Sequence, residues 1–386
     1  MRICHIADTH LGFRQLYRVD RAGRNEREQD VYRAWNAAID TIVALKPDAV
    51  VHAGDLFDSY HPSTAALGVA LDGLRRLHEA GIPVVIIAGN HSTPRVAAAE
   101  HIFGVLHRFG GVHVVYGGTE VINITPRDGS ATLAVHAIAH DNEPEVMAGA
   151  LRAARPSPDA QFNVLVAHMG LDGLGNVVGA EAGSVTLSGE ELAGAGDFDY
   201  VALGHLHKFA PARENAAYSG SLERLSWADD APHKGVLEVN LAAGRLSADY
   251  LRLHPVSTRA HLTLPAIDAA QTDDLTAALL ARAEEAGEAL DGAMARITIR
   301  NVSAAEWNAV DHKAVADAYS ECLHFERDTQ LTGHAAAAAG PAPALRDFLL
   351  AWAAEHAPKA PAEQLVSRAE AFLAQADQAL IAESSR

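Results

Sequence analysis

Apolar residues recur along this chain in two rhythms. Short unbroken runs read as buried strands: Arg2–Ala7, Asp48–His52, Val84–Ala88, Leu133–Ile138, Asn163–Ala167, Tyr200–Leu203 and Gly235–Asn240. Between the early runs the spacing lengthens to three and four. Val31–Leu45 reads as a helix that stops before Lys46-Pro47, and Ser63–Ala80 as a second, with Leu67, Leu71, Leu74 and Leu77 on one stripe. Gly81-Ile82-Pro83 ends it. Helices separate the strands early and strands follow one another later. That order predicts a layered α/β sandwich rather than a plain doubly wound sheet.

A second unit begins near Thr258. It reads as strand His261–Leu264, helix Thr272–Ala286, alternating strand Ala295–Val302, helix Ala304–Ser320 and a final strand Cys322–Phe325, a small α+β domain. The segment from Gly333 to Pro343 is rich in Ala and Pro and reads as a linker. Beyond it, Leu345, Phe348, Leu349 and Trp352 form one amphipathic stripe, and Leu365, Phe372, Leu373 and Leu380 another.

Composition narrows the classes. The 386 residues carry 31 Lys+Arg against 49 Asp+Glu, with apolar residues at 49%, which is a globular balance. The formal charge of −18 argues against a protein that coats nucleic acid electrostatically. Residues 258–386, with 10 basic and 19 acidic side chains, are about twice as acidic per residue as 1–257, with 21 and 30. Two distant cysteines, Cys4 and Cys322, exclude a disulfide framework and a cysteine zinc site. No apolar run approaches the ~18 residues of a membrane span, and the expected setting is cytoplasmic. The composition leaves 21 histidines to explain.

Five short segments each follow an apolar run: Asp8-Thr9-His10, Gly54-Asp55-Leu56-Phe57-Asp58, Gly89-Asn90-His91, His168 and Gly204-His205-Leu206-His207. Loops beyond strand ends can converge on one site. Carboxylate, imidazole and amide oxygen without thiolate suit Mn²⁺, and also Zn²⁺ or Fe²⁺. Seven such ligands exceed what one tetrahedral ion takes and fit two ions with a bridging carboxylate, the apparatus for in-line attack on phosphorus.

The ordered set resembles the calcineurin-like metallophosphoesterases. More narrowly, it is similar to the SbcD-type nuclease subunits of SbcCD-type DNA double-strand-break repair complexes and their archaeal and eukaryotic counterparts. The narrower likeness rests on Gly54–Asp58, on Tyr218–Arg224 and on Lys234-Gly235-Val236. It implies a four-layer α/β/β/α sandwich at 1–257, an α+β capping domain at 258–330, a linker at 331–344 and a helical partner-binding tail at 345–386. It implies Asp8, His10, Asp55 and His207 on one metal and Asp55, Asn90, His168 and His205 on the other, Asp55 bridging. His91 would face the scissile phosphate as a non-ligand, with Asp58 behind it orienting its ring. Double-strand exonuclease and single-strand or hairpin endonuclease activity are the implied chemistry. The implied partners are DNA, a second copy of the chain through helices at about 63–78 and 94–108, and an SMC-like ABC ATPase held by residues 343–383. Where the family often carries an acidic residue after the Asn-His pair, this chain has Ser92.

Other readings stay open. The arginines of Phe13–Asp30, Arg14 and Arg18 among them, fit phosphate contacts or paired charges equally. His61 and Ser221 are further candidate substrate contacts, His61 also reading as an exposed loop residue. His233 and Lys234 read as a surface turn. His5 and His52 fall in buried strands and read as core or supporting residues. A small-molecule phosphodiesterase or phosphatase, and a non-catalytic binding subunit, are the alternative functions.

Overall fold

The computed structural model describes residues 1–94, 101–109, 111–126, 129, 131–172, 184–229, 233–245, 247, 249–256 and 258–332. The linker and the helical tail proposed to bind a partner lie outside these residues from 333 onward, as does part of the second dimer helix. The chain divides into two units, Met1–Ala260 and His261–Arg386.

The first unit is built on two six-stranded mixed sheets. In one, the strands run in the spatial order Leu251–Pro255, Gly235–Asn240, Arg2–Ile6, Ala49–His52, Val84–Ile87, Val112–Val115. The last four are parallel, with Ile3 opposite Ala49 and Val50 opposite Val84. In the other the order is Ala210–Arg213, Ala216–Tyr218, Tyr200–Gly204, Phe162–His168, Leu133–Ile138, Thr119–Ile124. Its central strands are also parallel, with Leu203 opposite Ala167. Alternation along Phe162–His168 shows why such strands read as unbroken apolar runs. Val164 and Val166 enter a core shared with the first sheet, while Leu165 and Ala167 enter a second core with Met147 and Leu151 of the helix Pro144–Ala153. That helix, and the short strands at 112–124, 210–218 and 251–255, went unread in the sequence.

The helix Glu26–Leu45 starts five residues earlier than its apolar rhythm predicts. Asn25 caps it by accepting from the Glu28 N–H, and Glu26 and Glu28 sit in the first turn, where the helix dipole favours them. Arg27, Glu28 and Asp30 are buried there. Arg27 donates to Asp30 at 2.6 Å, so this inward-facing turn is polar and hides from a hydrophobic pattern. In the helix Thr64–Glu79 the buried face is Ala66, Ala70, Gly73, Leu74 and Leu77; Leu67 and Leu71 are half-buried beside it. Gly73 is required by contact: a Cβ there would stand 2.4 Å from Trp35 Nε1.

Among its described residues the second unit has four strands, His261–Thr263, Ile267–Asp268, Met294–Val302 and His324–Leu331, the other three all parallel to Met294–Val302. Ala295, Ile297 and Ile299 pack with Leu279, Val315 and Tyr319. The single helix expected over 304–320 is two, Ala304–Ala309 and His312–Ala318. The Asp311 carboxylate accepts from the Lys313 and Ala314 N–H groups and starts a new helix in mid-segment. The last strand extends to Leu331, its polar residues having concealed it.

Candidate metal centre

Five parallel strands from the two sheets end on one site. Backbone bonds carry the strand pairing past the strand ends: Asp8 N–H to Gly54 C=O at 3.0 Å, His10 N–H to Asp55 C=O at 3.0 Å, and Met169 N–H to Gly204 C=O at 3.2 Å. The chain turns sharply here. Seven non-glycine residues have positive φ among the described residues, and four are Asp8, His10, Asp55 and His205. Such backbone costs on the order of 1–3 kcal/mol per residue and persists where surroundings enforce it. Glycines admit the side chains. A Cβ on Gly54 (φ +97°) would fall 2.3 Å from His168 Nδ1, and one on Gly204 would fall 1.9 Å from the Ala53 oxygen.

The side chains converge. Donor atoms of Asp8, His10 and His207 lie within 4.8 Å of one another, as do those of Asp8, Asp55 and His168, and those of His10, Asp55 and His91. Asp8, His10, Asp55 and His168 are buried. His168 donates from Nδ1 to the Ala53 carbonyl at 2.8 Å. Its Nε2 then faces Asn90 Oδ1 at 2.9 Å and Asp55 Oδ2 at 3.1 Å. Three lone-pair atoms meeting this closely call for a proton or a cation between them. His205 joins through its backbone, donating to Asp8 Oδ1 at 2.9 Å, with its ring 5.5 Å from that of His168.

Electrostatics mark the same atoms. Burial disfavours charge on His168, but the Asp55 and Asp8 carboxylates outweigh it and lift the ring to about 9. Burial raises the Asp8 carboxyl despite the nearby histidines. It acts to raise Asp55 too, yet His168, His10 and His91 hold that carboxyl well below the usual carboxylate range. Asp8 Oδ2 is buried and accepts no hydrogen bond among the described residues, and the buried Asp55 Oδ2 faces only imidazole nitrogens there, His168 Nε2 at 3.1 Å and His10 Nε2 at 3.9 Å. Buried carboxylate oxygens ringed by imidazoles fit divalent cations. When bound, two such ions supply Lewis acidity and an activated water for attack on phosphorus.

His91 stands beside this cluster, its ring edge-on to His10 at 4.7 Å and its N–H donating to Asp55 Oδ1 at 3.0 Å. Asp58 orients His91 through its backbone: the ring Nδ1 lies 2.9 Å from the Asp58 carbonyl oxygen. The Asp58 carboxylate instead holds His10, with Oδ1 3.1 Å from Nδ1. Ser92 is buried and its hydroxyl makes no hydrogen bond among the described residues.

The candidate substrate contacts separate. Arg14 and Arg18 are exposed, and Arg14 pairs with Glu28 at 3.0 Å. His61 is exposed, its ring 4.2 Å from that of Tyr60. Ser221 is fully buried and cannot meet substrate; its hydroxyl donates to the Glu223 carbonyl at 2.8 Å. Lys234, expected in a surface turn, is buried and donates to the His207 carbonyl at 2.5 Å. His5 and His52 are buried supports, His5 against the Tyr200 hydroxyl at 2.8 Å and His52 against the Thr9 hydroxyl at 3.1 Å. Sequence reasoning missed Asp229, whose Oδ2 lies 3.5 Å from His207 Nδ1. Nothing in its spacing announced it.

Strand-end carboxylates and histidines on paired mixed sheets define a metal-dependent phosphoester hydrolase. Residues 1–209 match the calcineurin-like phosphoesterase family, and the chain belongs to it. Three curated archaeal proteins named DNA double-strand break repair protein Mre11 are similar to it. The one from Methanocaldococcus jannaschii is 32% identical over 58% of this chain and 57% of its own. That from Sulfurisphaera tokodaii is 34% identical over 53% and 49%, and that from Thermoplasma acidophilum 28% over 65% and 65%. The chain thus spans roughly half to two-thirds of the length of these relatives. Among the described residues no helix is long and apolar enough to cross a membrane.

Proposed function

We propose that this chain is the nuclease subunit of a DNA double-strand-break repair complex. It hydrolyses phosphodiesters with two divalent ions, Mn²⁺ foremost and Fe²⁺ or Zn²⁺ as alternatives. The observation that carries this reading is the convergence of Asp8, His10, Asp55, Asn90, His168 and His207, with His91 beside them, in a chain similar to double-strand-break repair proteins.

In this reading Asp8, His10, Asp55 and His207 hold one ion, and Asp55, Asn90, His168 and His205 the other. His91 meets the phosphate, stabilising charge or giving a proton to the leaving oxygen. Asp58 holds His91 with its carbonyl and His10 with its carboxylate. DNA enters an acidic protein, so the ions and a partner supply much of the grip. That partner is an SMC-like ABC ATPase bound by residues 343–383, and the chain pairs with itself through helices near 63–78 and 94–108. Retained ATPase co-purification after truncation at Gly340 would count against the first, and a monomer mass by light scattering at micromolar concentration against the second. The expected setting is cytoplasmic.

The test is cleavage of linear duplex, hairpin DNA and a cyclic nucleotide with Mn²⁺, beside His91→Ala. Cleavage of both DNAs, and a ~10²–10⁴-fold loss in the variant, is the expected result. Preference for the cyclic nucleotide points to a small-molecule phosphodiesterase. Absence of all three activities points to a binding subunit.

A further inference from the structure

His10 and His207 face each other across one end of the centre, their Nε2 atoms 3.1 Å apart. Each ring can bond Nε2 to Nε2 by donating a proton, or leave both lone pairs aimed at one spot beside Asp8. What stands behind each ring decides between the two. Behind His10 it is the Asp58 carboxylate, 3.1 Å from Nδ1. Behind His207 it is Asp229, 3.5 Å from Nδ1. A carboxylate accepts only, so each Nδ1 carries the proton and each Nε2 is left as a lone pair.

Asp229 is itself fixed. It is buried, and its Oδ2 accepts from the Leu225 N–H at 2.8 Å and the Ser226 N–H at 3.3 Å. The same stretch grips the other end of His207. The His207 carbonyl accepts from the Ser221 N–H at 3.1 Å and from Lys234 Nζ at 2.5 Å. Lys234 also donates to Ser221 Oγ at 2.9 Å. Gly220 makes room, since a Cβ there would stand 2.9 Å from the same carbonyl. A buried lysine and a buried aspartate, both more than twenty residues beyond His207 in sequence and both touching it, form a holder.

We propose that Asp229 is the positioning residue of His207, matched to Asp58 on His10, and that Ser221, Asp229 and Lys234 together present His207 Nε2 to a metal ion. This rests on the reading that Asp8, His10 and His207 take such an ion. Lys234 and Ser221 set the backbone, and Asp229 sets the tautomer and tilt of the ring.

The experiment compares the full chain with Asp229→Asn, Asp229→Glu, His207→Ala and the Asp229→Asn/His207→Ala double variant. The probe is Mn²⁺ alone, titrated by calorimetry, with nitrogen NMR of the histidine rings as a second readout. In the wild type His207 carries its proton on Nδ1. Asp229→Asn is expected to weaken one of two sites by ~10–100-fold and to mix the His207 tautomers. Asp229→Glu restores part of the affinity. In the His207→Ala background Asp229→Asn adds nothing, because its effect runs through that ring. Wild-type affinity and an unchanged tautomer in Asp229→Asn would overturn the proposal, as would an additive double variant. A wild type that binds no Mn²⁺ would instead overturn the metal reading beneath it.

Discussion

Residues 261–332 and residues 1–260 follow the same folding physics with opposite tolerances. In the second unit the helices open on side-chain caps, Asp274, Asp311 and the Ser303–Glu306 capping box. Its buried side chains, among the described residues, are apolar apart from the Tyr319 hydroxyl and the Cys322 thiol, and Tyr319 bonds the Leu279 carbonyl at 3.0 Å. Its one non-glycine residue with positive φ is Asn301, of a type that tolerates it. The first unit buries the Asp8 and Asp55 carboxylates among imidazoles and bends four candidate metal-site residues into strained backbone. Strain and unpaired charge survive only where the rest of a fold outweighs them, and they gather where function requires them.

Gly54→Ala is expected to break this contrast most severely. The added methyl meets His168 in a backbone that alanine resists, so metal binding is lost, and stability falls by about 2–5 kcal/mol. Leu279→Ala costs a similar ~2–5 kcal/mol through a core cavity. It should leave Mn²⁺ stoichiometry intact in the folded fraction. Urea denaturation with metal titration checks both. Equal loss of metal binding in the two variants would erase the distinction between the units.

Acid should sharpen the contrast next. Burial pushes His5 and His52 down to about 3 from an ordinary 6.5. Between those values the unfolded chain takes protons that the folded one refuses. The contribution of these two rings is therefore full above pH 6.5 and falls as pH drops toward 3, by up to about 1.4 kcal/mol per pH unit for each ring. Denaturation midpoints at pH 7.5 and 5 should fall less in His5→Gln than in the wild type, and identical falls would refute the assignment. The smallest effect is expected in the second unit. Ser303→Ala removes the N-cap and costs about 1 kcal/mol, seen as a lower Tm.

The contrast also explains what could be read in the sequence. Ile3–Ala7, Ala49–Ala53 and Val84–Ala88 are buried on both faces, so their apolar runs were plain, and the ligands directly follow them. Where burial is polar, the pattern fails. Arg27, Glu28 and Asp30 hid the first turn of the Glu26–Leu45 helix, and the charges of His324–Leu331 hid the last six of that strand's eight residues. Lys234 looked like a surface turn because lysine is rarely buried, and here a backbone carbonyl draws it inside. Asp58 was located correctly as a neighbour of His91, but which of its atoms would do the work depended on a turn geometry that residue spacing does not encode.

We propose that the strained strand ends hold two metal ions that cleave DNA. The most direct test is Mn²⁺ binding by calorimetry to the wild type and to Asp55→Asn, with hairpin DNA cleavage measured on the same samples. Two ions per wild-type chain, with both binding and cleavage reduced at least ~10³-fold in Asp55→Asn while the fold persists, is the predicted result. Undiminished binding or cleavage in Asp55→Asn would contradict it.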